Sequence, residues 1–321
     1  MGVSRQWRKD TVRSLDPRPF ALEDGDADAA LAVHKVVAMQ PGVTVTAISC
    51  AKEPGSPATS EIFSDFGLVL LRRGGFERRV GTSLHFVDST TAFFARPDVT
   101  QEIRHPREGG DECTLINLSD AAIVAFAGDG VLPDGPIPTN AAIDLMHVTL
   151  MAGISQGLDT FELEDRLSRL VGHVVELGSP GRLTTNRPET ERAHRRIVDR
   201  VREAVVADPG AVDLGCLAAD LGHTRFHVSR VFRRVTGMTL TQHRNRLRVA
   251  QALDRLASGE KNLANLAADL GFADQSHLAR VLRAAVGEPP SRLRERLSNV
   301  AEERDGAGQT FSSKRRGRPA A

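Results

Sequence analysis

The sequence predicts an α+β protein in which a strand-rich first half is followed by helices built around a duplicated helix-turn-helix. Three observations lead there. The hexapeptide LAADLG stands at 217–222 and again at 266–271, and the copies stay in step: VSRVFRR (228–234) matches LARVLRA (278–284), Gly237 matches Gly287, and TQHR (241–244) matches SRLR (291–294). The offset is 49 residues before the turn and 50 after it, so the second copy carries one extra turn residue. Short apolar and β-branched runs recur between turn formers over 31–127, the texture of a small barrel or sandwich. Charge also divides the chain. Residues 1–177 hold 16 Lys+Arg against 25 Asp+Glu, a balance of −9, whereas 191–297 hold 19 against 12, a balance of +7.

Taken in order, residues 1–30 are polar and Asp-rich at DGDADAA and are expected to be poorly ordered. The stretch 31–178 reads as one domain. FGLVLLRRGGF (66–76) is an apolar strand expected to end in a Gly-Gly turn. ERRVGTSLHFVDSTTAFFARPD (77–98) breaks into short strands at Gly, Asp-Ser and Pro-Asp, and ECTLINL (112–118) is a further strand entered through the turn REGGD. From Thr139 the period becomes helical, with Ile143, Met146, His147, Leu150 and Ile154 on one face behind a Thr or Asn cap. A second helix follows Asp159 and ends at Gly178, and the turn-rich 179–190 is a linker.

The second domain is 191–297. Its first helix ends at Pro209-Gly210; Asp213 caps a short helix whose buried stripe is Leu214, Leu217, Ala218 and Leu221; Gly222 supplies the turn and Thr224 the next cap. TLTQHRNRLRVAQALDRLAS is the longest helix and joins the repeats, with Leu240, Leu247, Ala250 and Leu253 inward and its arginines outward. The second copy turns at Gly271 through Asp274, and Pro289-Pro290 opens a last short helix. Residues 298–321 form a basic tail expected to be disordered.

Several classes are excluded. Cys50, Cys113 and Cys216 have no disulfide or zinc spacing and are expected to be reduced in a cytoplasmic protein. No run approaches the roughly 18 apolar residues of a membrane helix, and the N-terminus lacks the apolar core of a secretory signal.

A duplicated helix-turn-helix with a basic bias suits two successive major grooves of double-stranded DNA. In the first copy Phe226, Ser229, Arg230 and Arg233 share one stripe, opposite Val228, Val231 and Phe232. An Arg can take two guanine acceptors, a Ser either base type, and a Phe a thymine methyl. Arg233, Arg234, Arg244, Arg283 and Arg292 are phosphate candidates, and Arg246, Arg248 and Arg294 are classed as phosphate-facing or solvated. A phosphate clamp is the alternative for Arg230 and Arg280 too. His227 and His277 are expected to pack or to touch phosphate. The plainest alternative for the region is a helical domain with a repeated hairpin and no DNA role.

At this point a family resemblance becomes specific. GFADQSHLARVLRAAVGEPPSRLR (271–294) resembles the signature of the AraC/XylS family of bacterial transcriptional regulators, and the preceding repeat fits that family's first helix-turn-helix. Leu278 and Leu282 stand where the family usually has Phe, both at apolar core positions. The resemblance implies a sequence-specific DNA-binding transcription factor, an effector-responsive activator by analogy, with Phe226, Ser229, Arg230, Gln275, Ser276 and Arg280 at the family's contact positions. Its implied partners are promoter DNA, RNA polymerase, a small-molecule effector and a second copy of the chain.

The N-terminal half is similar to cupin-like sensor domains in VLLRRGGFERRV, VDSTTAFFARPD and HPREGGDECTLI. That implies a β-barrel with a ligand pocket, and two helices over 139–177 used for dimer contacts. Metal-binding cupins carry a His-x-His pair with a Glu and a further His; here His85 is alone in its strand and His105 sits in a Pro-flanked turn, so no metal, cofactor or catalytic residue is expected. His105, Arg96, Arg104 and Arg107 line either an effector or interface surface or, more plainly, a solvated loop. KRRGRP (314–319) resembles an AT-hook, with a plain basic tail as the alternative. Two rival functions stay open: a metal-dependent enzyme on the cupin scaffold, and a nonspecific architectural DNA binder.

Overall fold

The computed structural model describes residues 20–22, 32–51, 57–106, 110–127, 132–178, 188–207 and 213–297. The basic tail with its hook-like hexapeptide, Arg107, and most of the expected linker lie outside these residues.

The strands among the described residues are β1 (Phe20–Leu22), β2 (Ala32–Gln40), β3 (Val43–Cys50), β4 (Thr59–Phe63), β5 (Phe66–Val80), β6 (Ser83–Asp88), β7 (Thr91–Ala95), β8 (Thr100–Arg104), β9 (Asp111–Leu118) and β10 (Ile137–Pro138). β1 falls inside the stretch expected to lack order and pairs antiparallel with β4. β5 organises the rest. Its first half pairs with β7 and β9, and its second half pairs with β6 and β8, with a register shift between Leu71 and Arg73. One layer is therefore β2-β3-β9-β5-β7-β10 and the other β1-β4-β8-β5-β6.

Two expectations are corrected here. Gly74-Gly75 is not a turn: the strand runs through it and bends. Gly74 has φ +70°, and a Cβ there would lie 2.1 Å from the Gly110 carbonyl oxygen, so only glycine lets the two segments approach. Nor do the strands close into a barrel. Among the described residues β1 and β2 stand at opposite ends of the strand path, each paired on one side only, so the described strands form an open two-layer sandwich. The layers share the bent strand β5, and the end of β4 bridges the segment after β7 through Phe63 and Pro97.

Phe63, Val69, Leu71, Phe76, Phe93, Ile103 and Leu115 fill the space between the layers. The outer face of the β3-β9-β5-β7 layer is covered by α1 (Asp120–Ala127), α2 (Ala141–Gln156) and α3 (Thr160–Gly178). α1 lies where strand texture was expected; Ser119 starts it, its Oγ accepting from the Ala122 amide. α2 begins at Asn140, whose side chain accepts from the Ile143 amide. It is covered on two sides: Ile143 and Leu150 sink toward the sheet, while Val148 and Ala152 join the core of the following domain.

That domain holds α4 (Pro188–Ala207), α5 (Leu214–Asp220), α6 (Arg225–Thr236), α7 (Leu240–Ala257), α8 (Leu263–Asp269), α9 (Gln275–Val286) and a last helical segment over 290–297. Its two cores correspond to the two repeats. Ile197, Val201, Val228, Phe232 and Leu247 form the first; Leu253, Leu266, Phe272, Leu278, Leu282 and Leu293 form the second. Leu278 and Leu282 are fully buried. α7 starts with a capping box between Thr239 and Gln242 and contributes to both cores, which makes it the spine of the domain. Its arginines do not all face outward: Arg248 is buried over Phe272, its guanidinium 5.5 Å from the ring centroid.

Phe232 is the largest fully buried side chain of the first repeat. Phe232→Ala is expected to cost about 3–5 kcal/mol through lost burial and the cavity left behind, read as a lowered urea midpoint; an unchanged midpoint would show that the first core forms without it.

Candidate nucleic-acid interface

Each repeat positions its second helix by the same local means. Thr224 caps α6, its Oγ1 accepting from the His227 amide at 3.2 Å, and Asp274 caps α9, accepting from the His277 amide at 2.7 Å. Gly237 and Gly287 end the two helices with φ +77° and +81°, a left-handed cap that glycine takes without strain. The turn before α6 spans 221–224 and the turn before α9 spans 270–274, where the second repeat's extra residue lies.

Because Val228, Val231 and Phe232 on α6, and Leu278 and Leu282 on α9, are buried, the opposite stripes point outward. Phe226 is 68% exposed, an unusual state for a large aromatic. Arg230, Gln275, Ser276 and Arg280 are exposed and Ser229 is half-buried. Arg233, Arg234, Arg283 and Arg292 are also exposed, and Arg244 is half-buried. Among the described residues no carboxylate is paired with Arg230, Arg233, Arg234, Arg280, Arg283 or Arg292. The surface is thus cationic and open, with two donors at matching positions for acceptors such as guanine edges or phosphates.

Of the other cationic candidates, Arg246 departs from expectation, whereas His227 and His277 pack, one of the two readings expected of them. Arg246 is not phosphate-facing: it forks onto Asp144 of α2, with Nη2 donating to Oδ1 at 2.7 Å. Arg294 donates to the Lys261 carbonyl at 3.2 Å. His277 packs edge-on against Phe272, its Nδ1 accepting from the Ala273 amide. His227 stacks on His223 with ring centroids 4.6 Å apart. Burial, then the neighbouring His223, His194 and Arg230, lower its pKa below the ordinary histidine value.

Sequence reasoning missed the contacts that dock this domain on the sheet. Arg202 of α4 reaches the end of β6, where Nε donates to Asp88 Oδ2 at 2.9 Å and Nη2 to Oδ1 at 2.5 Å. Arg202 also donates to the hydroxyls of Thr90 and Thr91. Asp88 is fully buried and accepts further from the Thr90 amide and hydroxyl. Burial would raise its pKa, but Arg202 and these hydrogen bonds hold it at about 2. Arg73 of β5 pairs with Asp254 of α7 at 2.7 Å. Near Arg202, burial raises Asp199 to about 7, against the opposing charge of Arg202. Burial, helped by Arg195, Arg78 and Arg202, lowers His85 to about 4. A cavity of about 1180 Å³ lies between the domains here, lined by Arg78, His85, Arg195, Asp199, Arg202 and His243 among others.

In the sandwich, Arg104 pairs with Glu77, and Arg96 pairs with Asp134 at 2.6 Å and donates to the Leu132 carbonyl. His105 is not in a solvated turn: it is 2% exposed and faces the space between the layers.

Comparisons with known proteins match the helical half of the chain to transcriptional regulators. A family profile described as a helix-turn-helix domain matches residues 217–296, which begins at α5 and runs into the last helical segment. The regulatory protein SoxS of Escherichia coli K12 is 30% identical over 86 residues, covering 27% of this chain and 80% of its own length. SoxS of Salmonella typhimurium is 29% identical over 108 residues, covering 33% of this chain and 99% of its own. The HTH-type transcriptional activator AarP of Providencia stuartii is 30% identical over 83 residues, or 26% of this chain and 62% of its own. Among solved structures, fatty-acid-bound ToxT of Vibrio cholerae aligns over 82% of this chain and 98% of its own, with 12% identity and a TM-score of 0.33.

Two predictions follow from the docking contacts. Asp88→Ala leaves the guanidinium of Arg202 buried without its counter-ion, a loss of about 3–5 kcal/mol that calorimetry would register; a change within error would mean that water compensates the charge. For Asp199 the folded pKa of about 7 lies above the ordinary 3.8. Its contribution is therefore complete below pH 3.8 and is lost as pH rises toward 7. Asp199→Asn should flatten that fall in a series of urea midpoints, and identical pH curves for the two proteins would refute the assignment. Asp88, with its pKa lowered to about 2, works in the opposite sense: its contribution is lost as pH falls from 3.8 to 2.

Proposed function

The chain belongs to the AraC/XylS family of transcriptional regulators, and from that premise we propose that it is a sequence-specific DNA-binding transcription factor, not an enzyme, that acts on promoter DNA in the cytoplasm. One observation carries the reading. The sixth residue of each recognition helix is an arginine, Arg230 in α6 and Arg280 in α9, exposed and without an acidic partner among the described residues. Several other arginines of the domain, Arg202, Arg246 and Arg255 among them, are held by carboxylates. No helix of the described residues is long and apolar enough to cross a membrane.

In this reading the DNA-binding unit is 191–297. α6 and α9 enter adjacent major-groove segments about 34 Å apart on one face of the duplex. Arg230 and Arg280 each read a guanine, Gln275 reads an adenine, Ser229 and Ser276 bond base edges, and Phe226 meets a thymine methyl. Arg233, Arg234, Arg244, Arg283 and Arg292 hold phosphates. Residues 31–178 form the sensor, which takes a small effector and biases the DNA-binding unit through the Arg202 and Arg246 contacts. The family relation makes activation, through RNA polymerase, the expected output; AarP is named an activator. α2 is occupied within the chain, so a homodimer would form through the outer face of α3, where Phe161 is 84% exposed.

Arg280→Ala should weaken binding to the matched site by about 1–3 kcal/mol and relax discrimination at one base pair, whereas Arg233→Ala should weaken all sites alike and reduce the salt slope by about 1. Mobility-shift titrations on matched, mismatched and random duplexes at fixed ionic strength separate these outcomes. Equal affinity of the unsubstituted chain for promoter and random DNA would instead favour the architectural reading.

A further inference from the structure

Between the two layers of the sandwich lies a cavity of about 80 Å³ whose walls are mostly apolar, with Phe63, Val69, Phe76, Phe93, Ile103 and Leu115 among them. One end is chemically different. Cys50 closes β3, and Asp111, directly opposite it in the antiparallel register, opens β9. His105 follows β8 from the other layer. A ligand atom from each of the three lies within 4.8 Å of the other two. All three residues are buried, at 9%, 5% and 2% exposure for Cys50, Asp111 and His105.

Three groups able to ligate a metal ion are thus set together in an otherwise apolar wall. His105 Nε2 lies 2.5 Å from Asp111 Oδ1, while its Nδ1 is buried with no hydrogen-bond partner. The site is also held rigidly. Gly110 takes φ +60° beside Asp111, and a Cβ there would fall 1.8 Å from the Cys50 carbonyl oxygen, so the backbones carrying two of the groups are in direct contact.

We propose that Cys50, His105 and Asp111 form a binding site for a divalent transition-metal ion of the zinc class, with its fourth position open to the cavity. A thiolate, an imidazole and a carboxylate together suit a borderline-soft ion and disfavour magnesium or calcium. Bonds of about 2.0–2.3 Å in a tetrahedral shell set neighbouring ligand atoms about 3.5 Å apart. Loading therefore means that His105 and Asp111 part by about 1 Å from their present hydrogen bond. The ion replaces the Cys50 thiol proton and the proton shared by His105 and Asp111, and both pass to solvent. Bound there, it ties β3 and β9 of one layer to the segment after β8 of the other. The site stands independently of the DNA reading, since none of its residues belongs to α4–α9.

The test uses the full-length reduced chain with Cys216→Ser, which removes the one exposed thiol. Titration with Co²⁺ should give a thiolate-to-cobalt charge-transfer band and tetrahedral visible bands that saturate at one equivalent and vanish when Zn²⁺ is added. Cys50→Ala should abolish the charge-transfer band, and Cys113→Ser should leave it. A missing band, or one lost with Cys113 and kept without Cys50, overturns the site. Zinc-edge X-ray absorption on the unsubstituted, zinc-loaded chain needs no core substitution: one sulfur at about 2.3 Å with nitrogen and oxygen at about 2.0 Å supports the proposal, and a shell without sulfur overturns it.

Discussion

The arrangement of this chain depends on the Asp88 carboxylate, which is fully buried at the end of β6 and ionised nonetheless. A buried carboxylate persists only where donors surround it. Arg202 supplies a two-pronged guanidinium, and the Thr90 amide and hydroxyl supply the rest. The planar fork of arginine suits this pairing better than the single ammonium of lysine. Since Asp88 belongs to the sheet and Arg202 to α4, satisfying one charge fixes the first repeat against the sandwich.

The second repeat is held from a different direction. α2 lies on the sheet with one face and on α7 and α9 with the other, and its Asp144 receives the fork of Arg246. Arg73 of β5 grips α7 again at Asp254. The sandwich thus holds the two repeats at separate points, while α7 joins them. All these contacts fall on the sides away from Phe226, Arg230, Gln275 and Arg280, which stay exposed in the docked chain. A regulator built this way does not need to cover its recognition helices.

How much of this was legible in the sequence follows from range. The caps at Asn140, Asp213, Thr224, Thr239 and Asp274 act over two or three residues, and the repeat fixes helix lengths and core stripes within a dozen. The exposed face of α6 could be drawn from periodicity alone. The bend of β5 could not, because the need for glycine at 74 comes from the carbonyl of Gly110, 36 residues away. Arg246 and Arg248 resemble the outward arginines around them; only the packing of α2 and Phe272 withdraws them from the surface. Asp88 and Arg202 are 114 residues apart, and Cys50, His105 and Asp111 meet from three segments at spacings that match no motif. Local patterns carry helices and caps, whereas charge pairs and ligand clusters arise from tertiary proximity.

The two repeats, though alike in their cores, have diverged on the face that meets solvent. Where α6 opens with Arg225 and Phe226, α9 opens with Gln275 and Ser276, while Arg230 and Arg280 keep the same place. A large aromatic with a cation beside it favours contact with a thymine methyl and a phosphate; an amide and a hydroxyl favour hydrogen bonds to base edges. The turn before α9 is one residue longer, so the second helix need not meet its groove at the angle of the first. The two exposed faces thus differ in chemistry at their first turn and agree at Arg230 and Arg280.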